Sequence, residues 1–347
     1  MIHCLKNTNT MFIVLILGII LLFFANLLWG AVQIPAGTII GILLGNEPEK
    51  EAWRHIILES RLPQAVTALF AGSGIAVSGL LLQTSFRNPL ADAGILGISA
   101  GASLGVALVI LLFGGFIGGM TSFSLSSSMT VVLGAFLGAF LILIIIMAFA
   151  TIIKNSVMLL IVGIMVGYLT SSVISLLKYW STTEKAFSYM LWGMGDFSGV
   201  PISQLAFFCI IVSCGLVVSL LLMKPLNALL LGDRYAANLG VNIKLMRLLL
   251  LLCAGLLTAI TTAYCGPISF IGLAVPHIAR LVLGTSDHKL LLPSTIFIGG
   301  LMALLCNLIS ILPIFSGVIP LNAITPVFGA PVIIYVIVNQ KRIQYFN

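Results

Sequence analysis

KPLNALLLGDRYAANLGVNIKLMR, from Lys224 to Arg247, interrupts a chain that is nearly continuous hydrocarbon on either side. Leu205 to Met223 before it and Leu248 to Tyr264 after it are each apolar over about the length of a membrane-spanning helix. A link between two spans needs only a few residues, so an insert of this length implies a task of its own. Its punctuation predicts two short helices. Leu226 to Leu231 is stopped by Gly232; Asp233 can cap a second helix, Arg234 to Leu239, which Gly240 can end in the left-handed conformation. Leu229, Leu230, Ala236, Ala237 and Leu239 would give the pair an apolar face. From the pattern alone two readings stay open: a long solvated loop, or a docking element.

Outward from this insert, the composition decides the class. Hydrophobic residues make up 60% of the 347 positions and charged ones 7%, which no soluble domain of this length can bury. Ten runs are candidate spans: 11–30, 63–83, 95–114, 129–150, 157–177, 203–223, 246–264, 268–284, 291–312 and 322–339. No room remains for a sizeable soluble domain, so residues 1–347 read as one all-α, polytopic membrane domain carrying the segment 224–247. The first run is too long for a signal-peptide core and lacks a small-residue cleavage site, and is read as a retained span.

The net charge of +7 could point to nucleic acid, but its distribution points to a membrane. With the N-terminus inside, Lys6, Arg87, Lys154, Lys224, Arg234, Lys244, Arg247, Arg280, Lys289, Lys341 and Arg342 fall in inner segments. Only Lys50, Arg54, Arg61, Lys178 and Lys185 fall outside. This positive-inside bias puts Lys224–Arg247 in the cytoplasm and leaves no reason to expect a nucleic-acid partner. The six cysteines form no Cys-x-x-Cys pair and read as small buried hydrophobes.

Several strings carry more information than hydropathy. Arg61-Leu62-Pro63 opens the second span, with proline where its missing N–H costs nothing. The following inner turn reads Arg87-Asn88-Pro89-Leu90-Ala91-Asp92-Ala93-Gly94; Asn88-Pro89 starts a turn and Asp92 can cap a helix beginning at Gly94. Gly97, Gly101 and Gly105, then Gly134 with Gly138, and Gly163 with Gly167, stand four apart, which lets helix backbones approach closely in lipid. Residues 178–202 form a polar outer segment broken by Gly193, Gly195 and Gly199, in which Trp192 fits an interfacial belt. In Gly266-Pro267-Ile268-Ser269-Phe270-Ile271-Gly272-Leu273-Ala274-Val275-Pro276-His277-Ile278-Ala279-Arg280, Pro276 deprives the Gly272 carbonyl of its helical donor and predicts a kink. His277 has no second histidine or cysteine near it in sequence and reads as a packed or hydrogen-bonded side chain. The last span runs from Pro320 through Asn322 and Thr325 to Phe328-Gly329-Ala330-Pro331.

As a set, these strings and the insert (Leu230-Leu231-Gly232-Asp233, then Ala236-Ala237-Asn238-Leu239-Gly240-Val241) resemble the FecCD family of ABC importer permeases, over most of residues 55–340. The resemblance implies a type II importer permease of about ten transmembrane helices in two inverted halves, in the bacterial inner membrane. It implies a second permease copy, as a homodimer or a homologous heterodimer, and two copies of an ATP-binding subunit. It further implies a periplasmic or lipoprotein substrate-binding protein and surrounding lipid. Leu229, Leu230, Gly232, Asp233, Ala236, Leu239 and Gly240 would couple to the ATPase, and Arg61 would seat the binding protein. Asn88, Pro89, Asp92, Pro267, Gly272, Pro276, Arg280, Thr325, Gly329 and Pro331 would serve as structural or gating positions. Trp192 would belong to a short helix at the mouth of the path. Four positions depart from the family pattern: Gln64 where a second basic residue is frequent, Ala93 for proline, Val318 for glutamate and Asn322 for glycine.

The chain has no Gly-x-x-x-x-Gly-Lys-Ser/Thr loop and no nucleophile elbow, and its predicted spans are nearly free of ionisable residues. It is expected to be a transport subunit and not an enzyme, without cofactor or metal site. The expected cargo is an iron–siderophore complex, with cobalamin or haem as alternatives. A secondary transporter or a non-enzymatic pore is the reading from another class; the scarcity of ionisable residues in the spans counts against the first, and the second would not explain the long cytoplasmic insert.

Overall fold

The computed structural model describes residues 8–113, 127–153, 155–312 and 318–339; Lys6, Lys154, Lys341, Arg342 and Cys4 of the sequence argument lie outside them. Its helices are α1 (Thr8–Leu28), α2 (Ala36–Leu43), α3 (Glu51–His55), α4 (Leu62–Phe86), α5 (Ile98–Ala107), α6 (Ser127–Ile152), α7 (Ser156–Trp180) and α8 (Thr183–Gly193). There follow α9 (Ile202–Leu221), α10 (Met223–Leu230), α11 (Asp233–Asn238), α12 (Ile243–Cys265), α13 (Ile271–Leu283), α14 (His288–Ile311) and α15 (Leu321–Val338). A wider helical turn, Ile56–Arg61, joins α3 to α4, and another, Leu108–Leu112, extends α5.

Among the described residues, eight helices are long and apolar enough to cross a membrane, and two shorter apolar helices, Ile98–Leu112 and Ile271–Leu283, complete the ten expected runs. The short pair departs from the expected starts at 95 and 268. Asp92 does not cap a helix at Gly94; its carboxylate accepts the Gly94 N–H at 3.4 Å within a turn, and helix begins only at Ile98, after Gly97 in the left-handed conformation (φ 79°). Residues 266–270 are likewise non-helical, ending on Phe270 at φ 66°. Non-helical backbone at membrane depth is tolerated only where protein covers it.

Packing gives the two halves. Exchanging α4 with α12, α5 with α13, α6 with α14 and α7 with α15 maps the main contacts among these eight helices onto others that also occur. The pair α5–α6 maps onto α13–α14, α5–α7 onto α13–α15, α6–α12 onto α14–α4, and α4–α13 onto α12–α5. Because α4 runs inward and α12 outward, the halves are inverted. The α3–α4 span is the centre: 83% of its most apolar stretch is buried, against 22% for α1, α7 and α9.

Glycines set how closely the helices meet. A Cβ on Gly105 would stand 1.9 Å from the Gly134 carbonyl oxygen, and one on Gly138 2.2 Å from that of Gly101, so the two Gly-x-x-x-Gly runs of α5 and α6 face each other. A Cβ on Gly79 of α4 would lie 1.8 Å from the carbonyl oxygen of Gly272, the group that Pro276 deprives of a helical donor. The freed carbonyl therefore rests on the α4 backbone, within range of a weak Cα–H donor. Helix α13 continues through Pro276.

Gly79→Val is expected to lower stability by about 3 kcal/mol or more, because backbone cannot move aside as a flexible side chain can. Gly37→Ala on α2, where a Cβ meets nothing within 4 Å, is the matched control and should be neutral or slightly stabilising. Thermal unfolding of the detergent-solubilised protein compares the two.

Candidate functional site

The insert folds as the punctuation predicts, with helices shifted by a few residues. Helix α10 ends at Leu230, Gly232 (φ 103°) turns the chain, α11 runs from Asp233 to Asn238, and Gly240 (φ 85°) ends it. Asp233 is the first residue of α11 instead of its cap, and its carboxylate lies 3.6 Å from Arg247 of α12. The expected apolar face divides in two. Leu226, Leu229 and Ala236 are buried against the bundle, where α10 packs on α14, α4 and α9, and α11 packs on α12. Leu231, Tyr235 and Leu239 point outward at 59%, 67% and 66% exposure, and Leu230 is half-buried between the two sets. Tyr235 and Leu231 were not singled out from the sequence, because only the turn at Gly232 decides which face remains outside.

The helix pair is tied to the bundle by polar side chains that hydropathy could not reveal. Asn227 of α10 donates to the Asp287 carboxylate at 2.6 Å, and its Oδ1 accepts from the His288 backbone N–H and ring Nδ1, each at 2.8 Å. The other ring nitrogen of His288 lies 2.9 Å from the Thr84 hydroxyl on α4. Next to Thr84, the buried Gln83 accepts from Arg280 of α13 at 2.7 Å and donates to the Leu273 carbonyl at 3.2 Å. The inner end of α4 is thus held by α13 and α14 together, and α14 by α10. Asp287 caps α14 by accepting the Lys289 N–H; that bond first, with the Asn227 amide, holds its carboxyl below the usual range against the opposing effect of burial. A depressed pKa means the tie is present at neutral pH and is lost as pH falls through the folded-state value.

The Asn88 turn packs on the same helices. Asn88 Oδ1 accepts the Leu90 N–H at 2.9 Å, and the Pro89 carbonyl accepts from His277 Nε2 at 2.8 Å. His277 is fully buried, a hydrogen-bonded packing residue as its sequence context predicts. Asp92 Oδ1 lies where a Cβ on Gly272 would be 2.4 Å away.

At the outer end, Arg61 is not the outward-facing charge expected of a docking residue. It is 6% exposed and turned inward. Its guanidinium donates to the Leu27 carbonyl at 2.7 Å, the Leu28 carbonyl at 3.2 Å and the Val32 carbonyl. The last carbonyls of α1 have no helical donors, and lipid supplies none. Gln64, Asn307 and Asn26 form a buried chain beside it, at 3.1 and 2.8 Å, that joins α4, α14 and α1. Asn322 gathers the other outer segments: its amide donates to the carbonyls of Gly193 at 3.1 Å and Pro267 at 2.6 Å, and its Oδ1 accepts the Ser269 N–H at 3.0 Å. On α15, Gly329 faces Phe270, Pro331 lies within the helix, and the buried Thr325 hydroxyl has no hydrogen-bond partner among the described residues.

Two inverted halves with a helix pair at one end are the geometry that the comparisons address. The sequence profile of the FecCD transport family matches residues 17–339. The chain belongs to that family. Among FecCD relatives, the hemin transport system permease protein HmuU of Yersinia pestis is 33% identical over 336 residues, 94% of this chain and 96% of the relative. The vitamin B12 import system permease protein BtuC of Salmonella typhi is 34% identical over 286 residues, 82% and 84% of the two chains. A metal-chelate type ABC transporter solved in an inward-facing conformation superposes with a TM-score of 0.78 at 29% identity, over 94% of this chain and 99% of that one. This FecCD chain is accordingly a polytopic ABC importer permease of the bacterial inner membrane, and membership implies an ATP-binding subunit and a second permease copy.

Arg61→Lys cannot supply three carbonyls in a fixed fork. It is expected to lower the thermal midpoint measurably while leaving the low-salt association rate of the binding protein within about twofold, as a group buried away from solvent steers little. Stopped-flow association read beside calorimetry separates the two effects.

Proposed function

We propose that this permease moves an iron–siderophore complex across the inner membrane. Two copies of a separate ATP-binding subunit would sit on α10–α11, and a substrate-binding protein would deliver cargo outside. The observation that carries the reading is the coupling pair itself. Leu231, Tyr235 and Leu239 form an exposed apolar patch on the predicted cytoplasmic side, and the opposite face is anchored through Leu226, Leu229 and Ala236. Exposed apolar patches rimmed by polar residues mark protein contacts, and here Asp233, Arg234 and Asn238 supply the rim. A pair fixed at its base and open at its tip transmits a push from a partner into α14, α4 and α12. Energy then enters as protein contact that biases the inward and outward states. Arg61 takes part in docking indirectly, by holding the end of α1 and the start of the outer loop.

The metal-chelate type neighbour supports a chelate as cargo. The breadth of the match to the hemin permease favours haem as the second reading. Among the described residues no three His, Cys, Asp or Glu side chains gather as a metal site.

Leu239→Asp and Leu231→Asp should insert normally yet reduce ATPase association by about tenfold or more, as loss of a central apolar anchor does. Pull-down of the ATP-binding subunit from proteoliposomes tests the dock, and retained association would remove it. Uptake of a labelled ferric siderophore, hemin and cobalamin by the same vesicles ranks the cargoes; uptake confined to hemin would replace the first reading by the second.

A further inference from the structure

We infer that α8 is a strap across the two inverted halves at the outer mouth, and that Asn322 is its latch, a positioning residue for the change of state. The inference rests on the permease reading above. Helix α8 follows α7 and begins on the first half: it packs on α5 and the Leu108–Leu112 turn, and Lys185 Nζ donates to the Leu111 carbonyl at 3.4 Å. Its C-terminal end belongs to the other half. The Asp196 N–H donates to the Cys265 carbonyl of α12 at 2.9 Å, and the Asn322 N–H of α15 donates to the Met194 carbonyl at 3.2 Å. The Asn322 side chain then closes the junction through the carbonyls of Gly193 and Pro267 and the N–H of Ser269.

All hydrogen-bonding capacity of that amide except one acceptor lone pair is committed, and its partners come from two segments beyond its own helix. Each partner is a backbone group that ends or interrupts a helix, with no helical partner of its own. Close packing seats the junction. Gly195, at φ 76°, holds the strap where a Cβ would come within 3.2 Å of the Pro267 carbonyl and 3.5 Å of the Asn322 amide nitrogen. The halves cannot separate at the outer face while these bonds hold. The latch would make outward opening depend more strongly on partner binding.

The test compares wild type, Asn322→Gly and Asn322→Asp, the last retaining the acceptor for Ser269 while losing both donors. Amide exchange of the full chain in lipid nanodiscs should rise about tenfold in 193–199 and 265–270 together for Asn322→Gly. In the complex with ATPase and binding protein, stimulation of ATP hydrolysis by the loaded binding protein should fall by about threefold as the open state becomes easier to reach without it. Asn322→Asp should lie between the two. Unchanged exchange in either segment overturns the latch, and faster exchange with unchanged stimulation reduces Asn322 to a local stitch and overturns its role in the cycle. Exchange needs no partner, so failure of the dock variants to lose the ATPase would remove the α10–α11 dock without altering this result.

Discussion

Backbone lies on backbone where α4 crosses α13: Gly79 meets the carbonyl of Gly272 at a distance that excludes any side chain between them. The rest of the structure depends on this contact. Pro276 leaves that carbonyl without a donor, and in lipid an unmatched carbonyl costs several kcal/mol, so it has to be covered by protein. Once α13 is pressed onto α4, the Asn88 turn fits beside it, with Asp92 against Gly272 and Pro89 against His277. Gln83 and Arg280 then meet about one turn further along α4 and two along α13.

The same economy governs both ends of the bundle. Groups that water would satisfy in a soluble protein are met here by side chains from other helices: Arg61 for the end of α1, Asn322 for the re-entrant segment 266–270, and Asn227 with Asp287 for the start of α14. These residues connect elements far apart in sequence. They therefore transmit displacement as well as satisfy hydrogen bonds. At the inner end the chain Asn227, His288 and Thr84 leads from the exposed helix pair to the central helix. At the outer end Asn322 leads from the strap to α15. A permease needs both connections, because a push received at one face has to appear as an opening at the other.

Much was legible in the amino-acid string. Apolar run length is set by bilayer thickness, so ten helical segments and their order could be read from hydropathy alone. Glycine and proline have local consequences, so the two short helices of the insert, the turn at Gly232, the stop at Gly240 and the close helix approach at the Gly-x-x-x-Gly runs were also open to reading. Starts of helices that depend on distant cover were not: Ile98 and Ile271 begin where they do because α4, α7 and α15 shelter the non-helical backbone before them.

Tertiary structure alone decided the direction of side chains with two possible surroundings. Arg61 reads as an exposed interfacial charge in sequence, and only the position of the α1 carbonyls turns it inward. Leu229 and Leu231 are equally apolar, and only the packing of α10 on α14 and α4 buries one and exposes the other. Asn322 is a bare departure from a family pattern until three segments converge on it. Sequence determines what can be buried and where the backbone can turn, because those are properties of single residues and short windows. Which polar group meets which is set by contacts between residues tens to hundreds of positions apart, and no local pattern encodes them.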